Sequence, residues 1–139
     1  MEKIIVDATV FSNFLLVKKL YVLVKAISPC TTDEVLEELD IGVERGVLPA
    51  TDLNQIEILK MTSEEKEIFS KLIEKLGKGE ASCLAIAMVR GLKILTDDWD
   101  ARKYAQKSGI PVSGTIGVLA LAVKEGIVSG AKEIIYFLR

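Results

Sequence analysis

Apolar runs typical of buried strands alternate along this chain with longer runs of helical periodicity. Strands are predicted over Lys3–Val6 and Lys93–Thr96, with shorter ones over Ile56–Met61 and Val112–Ser113. Helices are predicted over residues 10–20, 32–44, 63–76, 79–90, 100–108, 115–125 and 131–138. Such alternation is typical of an α/β protein with a mainly parallel sheet.

The chain has 139 residues, of which 50% are hydrophobic, and this suffices for one core that buries about two thirds of the unfolded surface. No internal repeat, low-complexity segment or linker divides it, so residues 1–139 are predicted to form a single domain. No apolar run approaches the roughly 20 residues of a membrane span, and the N-terminus has no signal-peptide pattern. We therefore expect a cytoplasmic protein with no membrane partner.

The chain contains no histidine, which excludes imidazole bases, Ser-His-Asp triads and nearly every kind of zinc site. Cys30 and Cys83 lie far apart in apolar surroundings and are predicted to be buried thiols without a disulfide. Chemistry must then use carboxylates, hydroxyls, amines or a metal ion. The net charge of −2 argues against bulk attraction to nucleic acid, but 18 Lys and Arg leave room for a local basic rim.

Four acidic residues stand in positions that suggest one shared site. Asp7 follows the first predicted strand, and Asp98 follows the strand that ends at Thr96. Because ligands bind at the carboxyl ends of strands in open parallel sheets, these two acids could face one crevice. Glu38 lies in the second predicted helix, and Glu80 begins a helix that is mostly apolar. Together they predict a four-carboxylate cluster.

Three of these acids also have structural explanations. Asp7 could cap the helix that follows it, with Thr9 competing for that role. Glu80 could be stabilised simply by the N-terminus of its helix, and Glu38 taken alone would be a surface residue. A cap accounts for Asp7 but not for its companions, so the functional interpretation is preferred.

Two adjacent acids, Asp97 and Asp98, follow Thr96. One could bind a metal ion while the other caps the next helix, and Asp98 is the better ligand candidate. Its alternative role is an i,i+4 surface pair with Arg102, worth only a few tenths of a kcal/mol. Asp100 is predicted to cap the helix that begins there.

Carboxylates drawn together would repel and raise each other's pKa values, so such a cluster is reasonable only around a cation. Ligands that are all oxygen select hard ions, and Mg²⁺ or Mn²⁺ is expected. An ion of this kind lowers the pKa of bound water and neutralises charge on a phosphodiester. No protein nucleophile is then needed.

These residues resemble the PIN-domain family of metal-dependent ribonucleases, which includes the toxins of bacterial and archaeal toxin–antitoxin pairs. The resemblance covers nearly the whole chain and rests on the order and spacing of four short motifs. They are Ile5-Val6-Asp7, Val35-Leu36-Glu37-Glu38-Leu39, Gly79-Glu80-Ala81 and Thr96-Asp97-Asp98. The run from Asp97 to Arg102, followed by Gly109 to Val112 and Gly114 to Leu119, is similar to one PIN branch and strengthens the resemblance most.

The resemblance implies a three-layer α/β/α sandwich with a mainly parallel central sheet, and a metal-dependent endoribonuclease that cleaves RNA. It extends to a toxin role, an antitoxin partner and a homodimer, since these are common in the family. It assigns the metal-binding and catalytic acids to Asp7, Glu38, Glu80 and Asp98. Further participants that it suggests are Asp97, Asp100 and Thr96. The run Phe11-Ser12-Asn13-Phe14 and residues 42–62 depart from the family pattern.

Basic residues that could guide a phosphate backbone are Lys18, Lys19, Lys75, Lys78, Arg102, Lys103 and Lys107. Lys78 and Arg102 rank first, because they are adjacent in sequence to the acids. Trp99 could stack on a base or pack beside the site.

Two other functions stay open. The first is a module of the same fold that binds RNA or a protein without cutting. The second is a phosphoacceptor domain, which also places acids at strand ends but needs a lysine after a late strand. Val112-Ser113-Gly114 offers no such lysine.

Overall fold

A five-stranded sheet in the order β3-β2-β1-β4-β5 forms the centre of the computed structural model, which describes residues 1–130. Every neighbouring pair of strands is parallel. The strands are β1 (Lys3–Val6), β2 (Ser28–Thr31), β3 (Glu57–Ile58), β4 (Lys93–Leu95) and β5 (Val112–Ser113). The α/β fold with a parallel sheet predicted from the alternation is thereby confirmed.

Helices cover both faces of this sheet, as in a three-layer sandwich. They are α1 (Ala8–Leu16), α2 (Leu20–Ala26), α3 (Asp33–Glu44), α4 (Ser63–Leu72), α5 (Lys78–Arg90), α6 (Trp99–Lys107) and α7 (Thr115–Lys124). Helix α2 packs on α1 and α7, and α5 packs on α3, α4 and α6. None of the helices within residues 1–130 is long and apolar enough to cross a membrane. The helix predicted over 131–138 lies outside the described residues.

The core lies between the sheet and the apolar sides of the helices. The middle of the sheet is fully covered, with Ile5, Val6 and Ile94 completely buried, because a parallel sheet in a sandwich is shielded on both faces. Cys30 and Cys83 are buried in this core and form no disulfide, as predicted.

Several predicted bounds are wrong. The helix predicted over residues 10–20 is α1, which ends at Leu16, shortly before Lys18 takes a left-handed backbone conformation with φ 57°. Helix α2, which begins at Leu20, was not predicted. Strand β2 was not predicted, because Pro29 removes a donor and argues against an inner strand. Helix α4 ends at Leu72, four residues earlier than expected.

The strand order changes direction at β1. The chain proceeds from β1 to β2 and β3 on one side, then crosses to β4 and β5 on the other. The carboxyl ends of β1 and β4 are therefore a topological switch point, where open α/β sheets bind ligands. The register pairs Val6 with Leu95, and this places Asp7 and Thr96 side by side just beyond the two strands.

Candidate active site

Asp7 is the most deeply buried acid at this edge, with 1% of its surface exposed. Its Oδ1 caps α1 by accepting hydrogen bonds from the backbone N of Thr9 (3.0 Å) and Val10 (3.3 Å), and from Thr9 Oγ1 (2.6 Å). Its Oδ2 accepts one from Thr96 Oγ1 at 2.5 Å. Burial raises the pKa of Asp7 to about 6 in spite of these bonds, which lower it. The cap predicted for Asp7 is present, and Thr9 supports it instead of competing.

Thr96 links the two strand ends. Its buried hydroxyl donates to Asp7 and accepts from the backbone N of Asp98 at 3.1 Å. Asp98 is half-buried and caps α6 by accepting from the backbone N of Ala101 (2.9 Å). The prediction that Asp100 is this cap is wrong, because α6 begins one residue earlier. Asp98 and Arg102 do not form the predicted surface pair, since Arg102 Nη1 donates to the carbonyl oxygen of Thr96 at 3.1 Å.

Glu80 is half-buried in the first turn of α5, beside the acids of β1 and β4. Burial raises its pKa, and the negative charges of Asp98, Asp7 and Glu38 raise it further. The carboxylate folds back toward the helix N-cap at Gly77, where a Cβ would lie only 2.5 Å from Glu80 Oε2. Glycine at position 77 therefore leaves the space that this carboxylate occupies.

Glu38 reaches the same place from α3. Its side chain is exposed overall, but its pKa is raised by partial desolvation and by the charge of Asp98. A Cβ on Gly79 would lie 3.4 Å from Glu38 Oε1, so Glu38 extends over the start of α5. The two helix ends are held together by Thr32 Oγ1 and Ser82 Oγ, which share a hydrogen bond of 2.7 Å.

Asp97 has a different environment from its neighbour Asp98. Its Oδ1 accepts from the backbone N of Thr115 (2.9 Å), and its Oδ2 accepts from Asn13 Nδ2 (2.8 Å) and Thr115 Oγ1 (2.5 Å). These bonds occupy both oxygens and join α1 and α7 to the end of β4. Sequence reasoning missed Asn13 and Thr115 as partners. The available signal was that Thr9 and Asn13 lie four residues apart, so two polar side chains share one face of an apolar helix.

The comparisons with known proteins agree with the fold. The family model described as the PIN domain matches residues 3–139. The chain belongs to the PIN-domain family. PIN domains are generally nucleases. The search among curated proteins finds no match.

Two solved structures share the PIN fold of this chain. One is VapBC2 from Rickettsia felis bound to a DNA fragment from the promoter, with 14% identity, a TM-score of 0.55, and coverage of 81% of this chain and 98% of that one. The other is PAE2754 from Pyrobaculum aerophilum, with 16% identity, a TM-score of 0.59, and coverage of 88% and 98%. At these identities the likeness establishes the fold alone.

The acids of this PIN domain fit a hard cation in their chemistry, because every donor is a carboxylate oxygen. Among the described residues, no Lys or Arg offsets the raised pKa values of Asp7, Glu38 and Glu80. Within residues 1–130, however, no three acidic or cysteine side chains are disposed to hold one ion. The donors thus surround one edge of the sheet without being gathered into a ligand set.

The remaining predicted residues lie around this edge. Lys78 is exposed at the start of α5, and Arg102 is half-buried against the end of β4. Asp100 is exposed and lines a groove between α4 and α6. Trp99 is 72% exposed, so it does not pack beside the site.

Proposed function

We propose that this PIN domain is a divalent-metal-dependent endoribonuclease that hydrolyses RNA phosphodiester bonds. The observation that carries the proposal is the convergence of Asp7, Glu38, Glu80 and Asp98 on the switch point, where three of them raise the pKa of Glu80. Four carboxylates in one neighbourhood without a compensating cation are costly for the folded protein. A bound divalent ion removes that cost.

The two aspartates and the two glutamates would hold Mg²⁺ or Mn²⁺ in different ways. Asp7 and Asp98 are already fixed by helix caps and by the hydroxyl of Thr96. Glu38 and Glu80 are longer and less buried, so rotation of their side chains would complete the ligand set. When bound, the ion supplies charge neutralisation and a water molecule of lowered pKa.

Two basic residues, Lys78 and Arg102, would orient the RNA backbone. Arg102 uses one nitrogen to bind the carbonyl oxygen of Thr96 and keeps further N–H groups for a phosphate. Lys78 is exposed two residues before Glu80. Both are expected to position phosphates without reading base sequence.

The experiment is RNA cleavage with Mn²⁺ and with EDTA, on single-stranded and structured substrates. We expect cleavage that requires the ion and falls by at least about 100-fold in Asp7→Asn and Glu38→Gln, because each removes a charged ligand. Glu37→Gln is the matched control, since Glu37 is an exposed acid on the same helix. Cleavage by Asp7→Asn at the wild-type rate would disprove the proposal.

A second candidate is a PIN module that binds RNA or a protein without cutting it. It is favoured by one observation, that no ligand set is ready in residues 1–130. RNA binding in EDTA that persists with Mn²⁺, together with no cleavage of any substrate, would establish this alternative.

We further propose an antitoxin-like partner and a homodimer, acting in the cytoplasm. Support comes from the Rickettsia felis structure, which contains the VapBC2 pair on promoter DNA. The test is whether a small DNA-binding protein encoded beside this gene binds the chain and abolishes RNA cleavage. Sedimentation of the isolated chain measures whether it forms a dimer.

A further inference from the structure

A groove of about 550 Å³ lies between α6 and the end of α4 with the segment that follows it. Its walls carry Lys71 and Lys75 on the α4 side, and Lys103 and Lys107 on α6. We call this feature the lysine groove. Asp100 is the one acid that lines it, so it concentrates positive charge in a chain whose net charge is −2.

None of the four lysines of the groove forms an ion pair within the described part of the chain. The ion pairs present in residues 1–130 are Lys3 with Glu57, Lys60 with Asp33, and Arg90 with Glu65. On α6, Lys103 and Lys107 are four residues apart, and like charges at this spacing destabilise a helix by a few tenths of a kcal/mol. Lys71 and Lys75 line the groove with them, so the four positive charges together favour an anionic ligand.

Both walls of the lysine groove lead to the acids of the candidate active site. The α4 side continues from Leu76, which lines the groove, to Glu80 within four residues, and α6 begins immediately after Asp98. At 1.5 Å per residue, the path along α6 from Asp98 to Lys107 is about 14 Å. A stacked strand that rises about 3.4 Å per nucleotide would place about four nucleotides along it.

We propose that the lysine groove binds the phosphate backbone of single-stranded RNA on one side of the bond to be cut. This inference rests on the proposed function and identifies the surface along which the RNA substrate binds. Tyr104 lines the groove and Trp99 is exposed at the start of α6, so each offers a ring on which a base can stack. An acidic protein segment would also complement the charge. It has no bases to stack on these rings, however, and no phosphodiester that must reach the acids.

The test measures binding of an oligouridylate of about 20 nucleotides in EDTA, where the proposed reaction cannot proceed. The groove variant is Lys75→Gln with Lys103→Gln, and the control is Lys66→Gln with Lys124→Gln. All four lysines are exposed, and both variants change the net charge equally. At roughly 0.1 M salt, loss of two phosphate contacts should weaken binding about 20-fold and reduce the slope of log affinity against log salt by about 1.4. The control should match the wild type.

Equal binding by the groove variant and the wild type would overturn the inference. A second result would also overturn it: polyglutamate binds tightly through the groove lysines, whereas oligouridylate binding does not depend on them. The groove would then accept an acidic protein segment. The proposed function is tested separately. If the wild type binds oligouridylate through the groove but cleaves no RNA with Mn²⁺, only the nuclease proposal is rejected. If the wild type cleaves RNA and the groove variant binds and cleaves it equally well, only the groove proposal is rejected.

Discussion

The buried carboxylate of Asp7 makes folding of the metal-free protein depend on pH. Its pKa is raised to about 6 from 3.8, so between these values the folded state binds a proton that the unfolded state has released. Stability is therefore highest when Asp7 is protonated and falls as the pH rises from about 4 to about 6. The loss from this one group is on the order of 3 kcal/mol.

Asp7→Asn isolates this charge, because asparagine is as good an N-cap as aspartate. In EDTA, we expect the variant to be more stable than the wild type at pH 7 and the difference to shrink toward pH 4. Urea unfolding at several pH values measures it. A constant difference across this range would contradict the assigned pKa.

Substitution by asparagine should lower folding stability at Asp97 and Mn²⁺ affinity at the neighbouring Asp98. Asp97→Asn breaks charged hydrogen bonds to Asn13 and Thr115, so it should cost about 2 kcal/mol of stability and leave Mn²⁺ affinity near that of the wild type. Asp98→Asn keeps a good cap on α6 but should weaken Mn²⁺ binding by about 10-fold or more. Calorimetric titration and urea unfolding of both variants separate the roles, and equal Mn²⁺ affinities would remove Asp98 from the site.

Among the elements, α4 packs on α5 and is also linked to it by one ion pair. Glu65 is fully buried, forms the capping box of α4 with Thr62, and binds Arg90 Nε and Nη2 at 2.8 and 3.0 Å. The hydrogen bond from Arg90 lowers the pKa of Glu65 below 4.5. The stability that the pair provides is thus fully present above about pH 4.5 and is lost as the pH falls through the lowered value.

Glu65→Gln should therefore destabilise the protein by about 2 kcal/mol at pH 7 and by less at low pH. Glu64→Gln, at an exposed position in the same helical turn, serves as the control. Thermal unfolding at pH 7 and at low pH checks both variants. An equal loss at both pH values would mean that charge is not what joins these helices.

The sequence predicted elements best where local pattern alone determines them. Asp7 and Asp98 could be placed at the sheet edge because each follows an apolar strand. Asp97 could not be assigned, since its role depends on Asn13, 84 residues away in the chain. The same limit applies to β2, whose proline obscures a strand that is fixed by pairing with β1 and β3.

On the scale of the whole molecule, the acids come from four separate parts of the chain. Asp7 caps α1, Glu38 lies on α3, Glu80 lies on α5 and Asp98 caps α6. A shared ion would add a common link between these four elements, of which α3 already packs on α1 and α5, and α5 on α6. Its binding should then stabilise the fold globally, by about 3 kcal/mol at a concentration 100 times the Kd.

Hydrogen exchange distinguishes this global effect from ordinary surface binding. With Mn²⁺ we expect slower exchange together in the second turn of α3, which carries Glu38, and in the first turns of α5 and α6, because loosening any one of them would release the ion. Glu38→Gln should reduce the protection in all three turns, whereas Glu37→Gln should leave it unchanged. Protection confined to α6 would show that Asp98 binds the ion without Glu38 and Glu80. The four-carboxylate site would then be wrong even if the ion binds.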